Sequence, residues 1–122
     1  MKFVVYASLI TGLFIPNGFS LAGEIEDGKK TSQSHCTRCH VVGDFNPNGG
    51  ISSTPSFQLL VNALKDYEER FATFYVRPPH PAVIKIKGIK KRDDLPYNAE
   101  PVELTLKDVA NILNFAKTLK KK

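Results

Sequence analysis

The run Cys36-Thr37-Arg38-Cys39-His40 constrains this chain more than any other feature. It holds the only two cysteines among 122 residues, so a fold built on many disulfides is excluded. Several chemistries use a Cys-x-x-Cys pair. The two sulfurs could close a structural disulfide. They could exchange thiols, but the βαβ pattern that supports such a site does not surround them. They could join two histidines around zinc, but structural zinc sites pair compactly spaced half-sites, and His80 lies far downstream. Finally, Cys-x-x-Cys-His is the attachment pattern of c-type haem. Two thiols on a tight turn can each add to one vinyl group, and the next residue is then held beneath the iron.

The compartment helps to choose between these. Lys2 precedes a largely apolar run from Phe3 to Ile15, which Pro16, Asn17 and Gly18 break. The run suits a secretory signal and falls short of the ~20 residues of a membrane-spanning helix. Small residues at Ser20 and Ala22 flank Leu21, so residues 1–22 are expected to be a signal peptide cleaved after Ala22. The mature chain, residues 23–122, would be periplasmic, would have no stable membrane span, and would fit one domain. Its composition is that of a soluble globular protein, with 42% hydrophobic and 24% charged residues. Cleavage also removes Met1, the chain's only methionine.

Along the mature chain the pattern is helical. Residues 24–35 read as a polar helix, with Glu24, Glu26 and Asp27 near its positive end. Residues 43–55 are dense in breakers and read as a loop. Phe57, Leu60, Val61 and Leu64 give residues 56–64 one apolar face. Asp66 is expected to cap a further helix over 67–76, ended by Pro78, Pro79 and Pro81. Residues 83–103 read as irregular and carry Lys85, Lys87, Lys90, Lys91 and Arg92. Thr105 and Asp108 resemble a capping box. After them Leu106, Val109, Ile112, Leu113, Ala116 and Leu119 form a helical stripe. Lys120, Lys121 and Lys122 read as a solvated tail. The expectation is an all-α domain with no continuous sheet.

Export, a single cysteine pair and a thin core together point to covalent haem, because a buried macrocycle would supply packing surface that the short chain lacks. Cys36 and Cys39 would tether it and His40 would bind its iron. At these residues the chain resembles the monohaem class I c-type cytochrome family. Gly28, eight positions before Cys36, Val41-Val42-Gly43 after the motif, Thr54-Pro55-Ser56-Phe57, and residues 104–119 with Phe115 all carry the resemblance. It implies a class I cytochrome c fold, with first and last helices crossing and shorter helices enclosing the covalently bound haem.

The resemblance implies a methionine on the far side of the iron, in a His-Pro-x-Met sequence. Here His80-Pro81-Ala82 is followed by Val83, which cannot donate to a metal. His80 is the expected sixth ligand. The alternatives are an open iron under Val83, or ligation by Lys85, Lys87 or Tyr97. His35, tethered beside Cys36, is poorly placed. The expected function is single-electron transfer between redox proteins, with no catalysed reaction. The basic stretch would steer partners with acidic docking surfaces. An open iron would suit binding or sensing of a small gaseous ligand, and a peroxidase-like enzyme ranks last. No nucleic-acid-binding module is visible.

Overall fold

The computed structural model describes residues 20–91, 96–97 and 100–122. Most of the expected signal peptide, residues 1–19, and Arg92 of the basic stretch lie outside the described residues. The architecture is predominantly helical, as expected, with one small sheet. Helix α1 spans Leu21–His35, α2 Phe57–Ala63, α3 Tyr67–Ala72 and α4 Leu106–Lys117. The expected cleavage point after Ala22 falls in the first turn of α1.

The polarity of α1 follows from what it touches. It buries only Gly28 and Ser32, and Ser32 returns its hydroxyl to the Gly28 carbonyl at 2.7 Å. A Cβ on Gly28 would stand 1.9 Å from the Asn111 carbonyl oxygen of α4. Backbone therefore meets backbone at this point, and large apolar residues on α1 would hold the helices apart. Asn114 of α4 donates to the Glu24 carboxylate at 3.2 Å, adding a polar contact along the same pair.

Helix α4 supplies the core. Val109, Ile112, Phe115 and Ala116 are buried and join Val42, Phe57, Val61 and Phe71 in one cluster. Leu106, read as part of the stripe, is exposed. The capping box is present: the Asp108 amide donates to the Thr105 hydroxyl at 3.1 Å, and the Thr105 amide donates to the Asp108 carboxylate at 2.8 Å. Thr105→Ala should therefore destabilise the protein by about 1 kcal/mol. Thermal unfolding should show this as a drop of several degrees, whereas an unchanged midpoint would mean that the cap is redundant.

Three expectations are corrected. The helix expected over 67–76 breaks at Thr73, and Phe74–Val76 form a separate 3-10 turn. The Thr73 hydroxyl donates back to the Glu69 carbonyl at 2.7 Å, a local bond that competes with helix propagation. Asp66 precedes α3 but makes no side-chain cap, because the guanidinium of Arg70 one turn later takes its carboxylate at 2.9 Å. A charge-assisted bond outcompetes a neutral amide for the same oxygens. Lys120 is no free tail: its ammonium donates to the Val61 carbonyl at 2.9 Å, and Asn62 exchanges bonds with Leu119 and Lys121. The end of the chain is thereby tied to α2.

The stretch 83–103, expected to be irregular and without a sheet, instead contributes two paired strands. Strand β1, Ile84–Ile86, pairs in parallel with β2, Val102–Leu104, in the register Ile84 to Val102, Lys85 to Glu103 and Ile86 to Leu104. Ile86 and Leu104 turn into the core, while Lys85 and Glu103 face solvent opposite each other, joined at 2.8 Å. Alternation of this kind is what half-buried strands require.

Candidate cofactor site

The Cys36–His40 segment continues directly from α1. Amides of Cys36, Cys39 and His40 turn back onto Ser32 and Cys36 carbonyls, so the segment extends the helix as tight turns. This brings both sulfurs and the imidazole to one region. The two thiols are free; Cys36 is half-buried and Cys39 exposed. Burial, reinforced by the neighbouring Cys39, pushes the Cys36 thiol up to about 12. Thiol exchange needs an accessible thiolate, so this environment opposes a redox dithiol. No group of three or more His, Cys, Asp or Glu side chains among the described residues could hold a metal ion.

The loop at 43–55 is stitched to the motif by Asn46, a residue that belongs to no recognisable pattern. The Asn46 carbonyl oxygen accepts from the Val42 amide at 2.8 Å, and its amide nitrogen donates to the His40 carbonyl at 2.9 Å. The Ile51 amide donates to the Cys39 carbonyl at 2.9 Å. Gly50 makes that approach possible, with a φ of 74° and an ideal Cβ only 3.0 Å from the same carbonyl. Ile51 itself is half-exposed.

His40 is held by three features. Its Nδ1 lies 2.7 Å from the Pro55 carbonyl oxygen. A carbonyl can only accept, so Nδ1 carries the proton and Nε2 of the neutral ring keeps its lone pair. Phe57 meets the ring edge-on at 5.5 Å and passes the contact to Phe71 at 5.0 Å. The Phe57 amide also donates to the Val41 carbonyl, closing the loop behind the histidine.

His80 repeats the arrangement on the other side. It opens a 3-10 turn, His80–Ala82, between Pro79 and Pro81. Its Nδ1 lies 3.0 Å from the Arg77 carbonyl oxygen, so the same argument leaves Nε2 as the free donor to a metal. Phe74 supports the ring edge-on at 5.3 Å. Burial and the charge of nearby His40 lower its proton affinity, favouring the neutral form that ligates. Neither Nε2 has a hydrogen-bond partner among the described residues.

The two imidazoles lie near each other. Their planes are parallel within 2° and their centroids are 6.1 Å apart. One metal between two imidazoles needs two bonds of about 2 Å and about 1 Å from each nitrogen to its ring centre, or roughly 6 Å in all. The centroid spacing and the two free nitrogens are compatible with both rings binding one iron.

The other expected ligands are not brought to this gap. Lys85 is held by Glu103, and Lys91 lies over the Tyr97 ring at 4.1 Å. Val83 and Lys87 are exposed, as is His35 at the end of α1. Asn46, Phe74 and the Arg77 carbonyl escape sequence reasoning, because each acts through a backbone contact or a ring edge that has no motif. Among the described residues no helix is long and apolar enough to cross a membrane. Comparison with protein-family models, with curated proteins and with solved structures finds no match for this chain.

Proposed function

We propose that this protein is an exported, periplasmic monohaem c-type cytochrome of class I fold that carries single electrons between redox proteins. The observation that carries the reading is the pair His40 and His80, with parallel rings 6.1 Å apart, His40 following directly on a Cys-x-x-Cys pair. Cys36 and Cys39 would hold the haem as thioethers, each S–H adding across one vinyl group without loss of atoms. When bound, haem c supplies an iron that accepts and returns one electron.

The chain's own residues would set how readily it does so. Pro55 and Arg77 carbonyls orient the two imidazoles and raise their basicity as ligands. Two nitrogen ligands in place of nitrogen and thioether sulfur favour the ferric state and a lower potential. Fixed rings supported by Phe57 and Phe74 need little rearrangement when the charge changes. The His40–His80 spacing supports this carrier over a gas-binding site, because a bound His80 would occupy the position an external ligand needs. Steering by the basic stretch draws on Lys85, Lys87, Lys90 and Lys91, of which Lys85 is already partnered by Glu103.

Expression with a competent c-type maturation system tests the reading. The exported protein should be red, and its mass should exceed that of residues 23–122 by one haem. Cys36→Ser combined with Cys39→Ser should abolish covalent attachment. A colourless product with the bare polypeptide mass would overturn the proposal.

A further inference from the structure

The segment that carries His80 is closed by a clasp. The Val83 amide donates to the His80 carbonyl at 2.9 Å, which completes the turn. The Val83 carbonyl then accepts from the Val102 amide at 2.9 Å, the first bond across to β2. The parallel pair follows, and the Lys87 amide donates to the Leu104 carbonyl at 2.8 Å to finish it. Leu104 leads directly into the Thr105 cap of α4, which packs against α1 and so against the helix that carries the cysteines. Upstream, Arg77 is fixed by Thr73 at 3.0 Å and by Glu69 at 3.0 Å.

A cavity of about 80 Å³ beside the strands is lined by Tyr75, Pro81, Ile84, Ile86 and Tyr97 among others. The outward face of the clasp is one registered cross-strand pair, Lys85 opposite Glu103, with both side chains about half exposed.

We propose that the β1–β2 clasp positions the turn that carries His80, so that His80 yields to an external ligand faster when the strands part. The inference rests on the proposed His40/His80 ligation and adds to it the element that controls ligand exchange. Lys85 and Glu103 act here as positioning residues, since neither touches the site.

A charge swap provides the test. In the haem-loaded protein, K85E sets two carboxylates directly opposite each other, a destabilising pair in a sheet. Binding of carbon monoxide to the ferrous form should then accelerate about fivefold, the scale of one exposed cross-strand pair. Amide exchange at Val102 and Lys87 should accelerate in parallel. The double variant K85E/E103K restores opposite charges and should return both rates to within about twofold of the parent. Because position 85 is a glutamate in both variants, rescue would also exclude lysine ligation from that position. An unchanged rate in K85E, or an acceleration that the double variant fails to reverse, would overturn the clasp while leaving bis-histidine ligation intact. A parent protein that is already five-coordinate, or carries no haem, would overturn the underlying reading and the clasp together.

Discussion

His80→Ala should convert the ferric haem-loaded protein from six-coordinate low-spin to high-spin, with no loss of covalent attachment. The physical basis is the competition for one coordination position. An external ligand binds with an apparent affinity reduced by the fraction of molecules whose position is open. If His80 occupies it about 99% of the time, its removal raises that affinity about a hundredfold. Absorption spectra read the spin state, and titration with imidazole or carbon monoxide reads the affinity. The ring's neighbours make a repacked substitute improbable: Phe74 meets His80 edge-on, and Val83 points its backbone, not a donor, toward the turn. An unaltered low-spin spectrum in the variant would remove His80 from the iron and return the question to Lys85, Lys87 or Tyr97. It would leave the attachment through Cys36 and Cys39 standing, since those bonds do not depend on the distal side.

Those parts were unequally legible in the sequence. The cysteine motif announces its chemistry because the spacing that the chemistry requires is local, confined to five consecutive residues. Helix α4 was legible for a related reason, since its periodicity and the Thr105–Asp108 cap both lie within one segment. His80 could be nominated from the chain only through a resemblance. Its position opposite His40 depends on α2, α3 and the Phe74 turn arranging themselves between the two. The clasp was hidden for a different reason. Strands of three residues carry too few alternations to stand out, and their pairing spans a long intervening stretch. Lys120 misled in the opposite direction: a terminal run of lysines usually belongs to solvent, yet here one ammonium satisfies the Val61 carbonyl. Contacts between a side chain and a distant backbone group leave no pattern in the chain that makes them.

The second large effect lies at the crossing of α1 with α4, where the same mutation has unequal consequences at two positions of one helix. Gly28→Ala adds a Cβ that would sit 1.9 Å from the Asn111 oxygen and 2.3 Å from its carbonyl carbon. These are backbone atoms in a capped helix, so no rotamer change relieves the clash, and the two helices must separate. Separation opens the contacts around Ile112 and Phe115, which belong to the main cluster. Alanine returns about 1 kcal/mol through helix propensity. Overpacking of a rigid site typically costs 1–3 kcal/mol and more where nothing yields. With nothing here able to yield, the cost falls at or above the top of that range, and the net loss should be about 2 kcal/mol, or roughly 10 °C in the unfolding midpoint of a domain this size. Gly23→Ala provides the control, because its Cβ would meet nothing within 4 Å and it lies in the first turn of the same helix. That variant should be near neutral. Equal midpoints for the two variants, measured on the haem-loaded protein, would mean that α1 and α4 do not touch at Gly28. The α1 end that carries Cys36 would then lack its anchor against the core, and the placement of His40 opposite His80 would need another support.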